Sequence, residues 1–473
     1  MKLQFWEHQV RNIIYCASRN YAAIFDDPAL GKTVTGIGLF LLLRDRGVVK
    51  NMLVVGTKSI VTEQWPKEIA KWDDFKGLRV TVLDGEAKHR KAVLPAEITL
   101  INADGLRWLA EHPVQYDMII VDESTFFSNA MAIRTRVLQG LMQQTTRRYI
   151  MSGTAVSEGV EALYSQIKLL DDGLALGRTQ SAFYYKYMLK SGPHTFVARK
   201  GAMDEVMRLI ASFTTRTSAE DANIPLPPLV DDSTTEIHLD LPPEAERLYG
   251  EMYEHRVVQT PKGQTITAVN PGVRDVYLRQ IANGALYTPD GGTWHVHSAK
   301  TDATIKKMRE VWAAGKKCLL ITSLDSDIER LELALGRKLA RVTGGVSTAK
   351  RVAAIRKWNA GELTELVLHP KSAAHGLNLQ GVPADVLFVS GYYSEEGDSQ
   401  AIKRVHRPGQ TQGVNVWRFL MRRTVDIKIN KIVDAKSQAQ KDAFTMLKQH
   451  QQETQGSLDA IDEAVQEIKA EAE

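Results

Sequence analysis

From residue 22 to about residue 170 the chain repeats one pattern, a short apolar run of β-forming residues followed by a longer stretch with helical periodicity. The runs cover residues 22–25, 52–55, 80–83, 98–101, 118–121 and 149–151. Strands that alternate with helices need crossover connections, so they pair in parallel and have both faces covered. Ligands of such sheets gather beyond the carboxyl ends of the strands. Polar or glycine-rich segments stand at such positions: 26–33, 56–59, 122–124 and 152–154.

Between about 172 and 298 the rhythm fails, and prolines crowd in at 225, 227, 228, 242, 243, 261 and 271. It returns with apolar runs at 318–322, 365–368, 386–389 and 414–419. A chain of 473 residues exceeds one ordinary core, and two α/β lobes account for it. The expected division is 1–172 for the first lobe, 173–298 for a helical protrusion and linker, 299–425 for the second lobe, and 426–473 for a tail. The tail, rich in Lys, Gln, Ala and Glu, reads as one or two exposed helices.

With 44% hydrophobic and 25% charged residues, the composition is that of a soluble globular protein. A net charge of +4 is small for this length, so a nucleic-acid partner needs a local basic groove rather than a global field. The two cysteines, Cys16 and Cys318, lack zinc-site spacing and read as core thiols in a reducing compartment. The first residues lack the apolar core of a signal peptide, and no apolar run reaches the 18 or so residues that span a bilayer. The expected location is cytoplasmic, with no membrane partner.

Three constellations carry chemistry. Asp26-Asp-Pro-Ala-Leu-Gly-Lys-Thr33 follows a strand and opens a helix, the setting of a phosphate-binding loop. There Lys32 neutralises the β- and γ-phosphates of ATP, and the Thr33 hydroxyl holds Mg²⁺. The literal pattern fails at Asp26, and its shorter variant fails at Ala29. Alanine at 29 fits without cost only where φ stays negative. Met118-Ile-Ile-Val-Asp-Glu123 ends an apolar strand in two carboxylates. Asp122 suits the hard metal ion, and Glu123 suits activation of the attacking water. In Gln400-Ala-Ile-Lys-Arg-Val-His-Arg-Pro-Gly-Gln410, Arg404 and Arg407 share a helix face and are candidates to stabilise charge on the transferred phosphoryl group.

In order and spacing these segments resemble the Swi/Snf family of superfamily II helicase-like ATPases over nearly all of residues 3–435, most specifically in 400–410. The resemblance also covers Phe5-Trp-Glu-His-Gln9, Thr57-Lys-Ser-Ile with Gln64-Trp65, Asp122-Glu-Ser-Thr, Ser152-Gly-Thr-Ala, Ile321-Thr-Ser323 and Lys371-Ser-Ala-Ala-His-Gly-Leu-Asn-Leu-Gln380. Ala29 replaces a family glycine, Ser124 and Thr125 replace Ala-His, and Ala155 replaces proline. In size the chain is similar to compact bacteriophage-encoded members.

This likeness implies two RecA-like lobes that close on one ATP with Mg²⁺, and a DNA groove that favours duplex and admits single strands. It also implies a monomeric DNA translocase. By position it assigns adenine recognition to Gln9 and nucleotide contacts to Leu30, Gly31 and Gly376. It assigns backbone contacts with DNA to Thr57, Lys58, Trp65, Thr322, Ser323, Lys371 and Ser372, and coupling to Ser152, Gly153, Thr154, Asn378 and Gln400. Tyr184, Tyr185 and Tyr187 read as core or protrusion packing. Two other readings stay open: a strand-separating helicase on the same scaffold, and an ATP-bound interaction module that hydrolyses little.

Overall fold

The computed structural model describes residues 2–85, 96–112, 114–193, 195–223, 234–370, 379, 383–406 and 412–453. It divides into two compact units. The first takes Met1–Ile224 together with Lys436–Glu473, and the second takes Pro225–Ala435.

The first unit holds a seven-stranded, wholly parallel sheet. Its strands are β1 (Tyr21–Ile24), β2 (Met52–Gly56), β3 (Val80–Leu83), β4 (Ile98–Asn102), β5 (Met118–Asp122), β6 (Arg147–Met151) and β9 (Thr214–Thr215), in the order β3-β4-β2-β5-β6-β1-β9. Every residue of β2, β4 and β5 is buried, which is why these runs read as continuously apolar. Alternate residues feed two cores: Leu53, Val55, Ile119 and Val121 enter one, while Met52, Val54, Met118 and Ile120 enter the other. The strands are parallel and β6 lies between β1 and β5, so the segments leaving β1, β5 and β6 emerge at one edge. The antiparallel hairpin of β7 (Met188–Lys190) and β8 (Phe196–Ala198) lies outside the sheet.

In the second unit, six parallel strands run in the order β10-β19-β18-β15-β17-β16. They are β10 (Thr235–Leu239), β15 (Lys317–Ile321), β16 (Arg341–Val342), β17 (Glu365–Leu368), β18 (Ala384–Phe388) and β19 (Val416–Met421). Two small hairpins precede the central strands, β11 (Val257–Gln259) with β12 (Thr265–Thr267) and β13 (Ala285–Tyr287) with β14 (Thr293–His295). The α/β class and the ten expected strands are present.

The segment 173–298 does not stand alone. Its described residues up to 223 pack with the first unit and those from 234 with the second. Nor is the tail simply exposed. One helix runs from Val425 to Glu453. Val425, Ile429 and Val433 join a core of the second unit, and Ala443, Phe444 and Leu447 join a core of the first. Tyr187 is buried, as core or protrusion packing requires, but Tyr185 is 94% exposed and packs in neither way. Both cysteines are free and buried. No helix among the described residues is long and apolar enough to cross a membrane.

Candidate active site

The candidate phosphate loop, residues 26–33, is shaped by backbone that few residues tolerate. Gly31 starts the helix Lys32–Asp45 at φ +72°, and a Cβ there would lie 2.3 Å from Gln9 Nε2, so both conformation and space require glycine. Ala29 lies at φ +71°, contrary to the negative φ that alanine favours. Relieving a Cβ in the left-handed region is worth about 1–2 kcal/mol, and the extra freedom of an unfolded glycine costs about 0.4–1 kcal/mol. Ala29→Gly should therefore stabilise the first unit by about 0.5–1 kcal/mol, read as a higher denaturant midpoint at unchanged slope.

Lys32 donates to the carbonyls of Asp26 at 2.8 Å and Asp27 at 3.1 Å. The Thr33 hydroxyl accepts from Gln64 Nε2 at 2.9 Å. Gln9 Nε2 donates to the carbonyls of Leu30 at 3.4 Å and Gly31 at 3.3 Å, and His8 Nε2 lies 2.9 Å from the Leu30 carbonyl. The Asp26 carboxylate is fully buried and accepts from Asn12 Nδ2 at 2.6 Å and from the Thr217 amide at 2.8 Å. Burial pushes its pKa up, against the pull of Lys32, His8 and Arg216.

At the end of β5, Asp122 Oδ2 accepts the indole N–H of Trp65 at 2.8 Å. Burial raises its pKa to about 6, opposed by the Trp65 hydrogen bond and Lys32 and reinforced by Glu123. Trp65 is 0% exposed, so it supports Asp122 from inside and offers no surface to DNA.

Glu123 sits at φ +67° at the head of the 3₁₀ turn Ser124–Phe127. Non-glycine residues in this region cost of order 1 kcal/mol or more and cluster where side chains must be aimed. The Glu123 carboxylate accepts from the hydroxyls of Ser152 at 3.3 Å and Thr125 at 3.4 Å. Ser152 Oγ in turn accepts from the Thr154 amide. A Cβ on Gly153 would come within 2.6 Å of the Pro28 ring, so that glycine permits the loop after β6 to press against the phosphate loop. Ser124 donates to Gln166 Oε1 at 2.7 Å, and Gln166 Nε2 donates to the Ala155 carbonyl at 2.9 Å. Two departures from the family pattern, at 124 and 155, are thus joined through one buried carboxamide.

Asp122 and Thr33 are oxygen donors, and among the described residues no cluster of three or more His, Cys, Asp or Glu forms a protein cage. A hard cation that takes one carboxylate, one hydroxyl and phosphate oxygens fits this set.

Of the remaining expected contacts, Thr57 is buried with its hydroxyl 3.4 Å from Ser59 Oγ, and Lys58 is exposed and pairs with Asp84 at 3.4 Å. In the second unit Thr322 is 1% exposed and donates to Asp327 at 2.6 Å, so its hydroxyl is turned inward and not towards a DNA backbone. Ser323 accepts from Arg279 at 2.8 Å. Arg404, on the helix Glu395–Val405, donates to Gln400 at 3.4 Å. Arg407, Lys371, Ser372, Gly376 and Asn378 lie outside the described residues. Sequence reading missed Asn12, Gln166 and Arg216, which no spacing marks.

Two domain families match the chain, the SNF2-related domain over residues 8–283 and the helicase conserved C-terminal domain over residues 302–409. Protein p41 of Acyrthosiphon pisum secondary endosymbiont phage 1 is 27% identical over 81% of this chain and 84% of its own length. The human DNA annealing helicase and endonuclease ZRANB3 is 22% identical over 91% of this chain, which spans only 39% of that protein. The SWI2/SNF2 ATPase core of Sulfolobus solfataricus in complex with dsDNA covers 93% of each chain at 21% identity and a TM-score of 0.44. The loop 26–33, the Asp122–Glu123 pair and Ser152 stand along one sheet edge, and with a domain match spanning more than half its length the chain belongs to the SNF2-related family of helicase-like ATPases.

Proposed function

We propose that this protein is a DNA-dependent ATPase that moves along duplex DNA by its backbone. The observation that carries the reading is Glu123, held by Ser152 and Thr125 beside a buried Asp122 and one strand away from the Lys32 loop. In hydrolysis Lys32 binds the β- and γ-phosphates, and Glu123 orients and deprotonates the attacking water. Thr33 and Asp122 would hold Mg²⁺, which when bound neutralises phosphate charge. Arg404 and Arg407 are assigned to charge on the transferred γ-phosphoryl group, a role worth on the order of 10³ to 10⁵ in turnover. The hydrogen bond from Ser152 to the Glu123 carboxylate supports the assignment of Ser152 to the link between turnover and grip on DNA. The DNA-acting relatives support the choice of polymer.

The test is steady-state ATPase activity alone and with duplex DNA, single-stranded DNA or RNA. Duplex DNA should raise the rate severalfold at low salt. Because contacts to phosphate carry little sequence information, log affinity should fall linearly with log salt and be nearly the same for unrelated sequences. A rate indifferent to both DNA forms, or raised by RNA alone, overturns the reading.

A further inference from the structure

We propose that the segment 436–453 sets nucleotide affinity from outside the site, through Arg216 as a positioning residue for the phosphate loop. The inference rests on the nucleotide-site reading above. Arg216 is 12% exposed and spends its fork on three oxygens: the carbonyl of Phe25 at 2.9 Å, the carbonyl of Thr217 at 2.6 Å and Asp27 Oδ1 at 2.8 Å. It therefore ties the end of β1, the segment after β9 and the loop itself into one bracket. The other oxygen of the Asp27 carboxylate accepts the Ala219 amide at 3.0 Å. The carbonyls of Asp26 and Asp27, which the bracket locates, are the ones that receive the Lys32 ammonium.

The face of Arg216 is covered by the C-terminal helix. Its guanidinium lies 4.4 Å from the ring centroid of Phe444, and that ring also packs 6.3 Å from Phe25. A planar guanidinium that hydrogen-bonds in plane and stacks above it is fixed in every direction, which a lysine cannot reproduce. Further along, Gln451 donates to the Thr214 carbonyl at 2.5 Å, Lys448 pairs with Asp221 at 2.7 Å and His450 with Asp204 at 2.9 Å. The helix is thereby seated on the stretch 204–221, within which β9 leads into Arg216. Two contacts, Phe444 to Arg216 and Arg216 to Asp27, separate the helix from the loop that holds Lys32.

Full-length variants decide the matter, with a fluorescent ADP analogue titrated in the absence of DNA, ATP KM and kcat, and the thermal midpoint as readouts. Arg216→Ala should weaken nucleotide binding about tenfold or more, the loss of charge-assisted hydrogen bonds, and Arg216→Lys should recover only part of it. Phe444→Leu keeps an apolar side chain but removes the stacking face. It should raise Kd and KM together by roughly threefold to tenfold at nearly constant kcat. Phe444→Tyr retains the face and should bind like the parent. If Phe444→Leu lowers only the midpoint, or if Lys32→Ala loses binding while Arg216→Ala keeps it, the positioning role is overturned and the site reading stands. A parent chain that binds no nucleotide overturns both.

Discussion

Glu123→Gln should bind ATP like the parent and fail to hydrolyse it, with kcat lower by about 10² to 10⁴. The amide keeps the size of the carboxylate and an oxygen to accept the Ser152 and Thr125 hydroxyls, so the left-handed backbone at 123 has no reason to relax. What is lost is the basic oxygen that takes a proton from water. Lys32→Ala should show the reverse, a large rise in ATP Kd, because the ammonium interacts with ground-state and transition-state phosphate alike. Nucleotide titration with single-turnover kinetics separates the two. Equal loss of affinity in both variants would refute the division of roles.

The second large effect concerns stability. Lys300 and Asp426 form an ion pair at 2.5 Å with 1% and 2% of their side chains exposed, and Lys300 also donates to Asn283 at 2.9 Å. Asp426 Oδ2 accepts the Met421 amide as well. Asp426→Ala leaves an ammonium without its counter-charge in a dry site, which should cost about 3–5 kcal/mol. For a unit of this size that lowers the unfolding midpoint by roughly 6–20 °C. Replacing both partners, as Lys300→Met with Asp426→Leu, should recover part of the loss, because the unpaired ammonium is gone while the Met421 amide and the Asn283 carbonyl still lose their partners. A single variant within 1 kcal/mol of the parent would show that water reaches the pair.

The central strands were legible because residues buried on both sheet faces must be apolar throughout, as in 52–55 and 118–121. Edge strands β9 and β10 were not, since Thr214–Thr215 is two residues long and the face of Thr235–Leu239 is largely polar and exposed. Lys32, Asp122 and Glu123 stood out as candidates because they lie at or beyond the ends of strands. Trp65 was misplaced, because its position in the chain does not reveal the direction of a side chain that follows a turn of π-helix at Ile60–Gln64. The strain at Ala29 is invisible in a sequence, since only the backbone angle exposes it. Arg216 and Asp27 meet across 189 residues, a separation that no local pattern encodes. The tail misled by composition: its many polar residues hide one stripe of Ala443, Phe444 and Leu447 that fills a core.

That stripe has a consequence for how the protein is made. The first unit's sheet is complete in sequence by Ile224, yet the residues that close its core begin at Lys436, about two hundred residues later. At synthesis rates of roughly 5–20 residues per second, the ribosome needs on the order of 10–40 s to supply them. During that interval the nascent first unit lacks Ala443, Phe444 and Leu447, which its core contains.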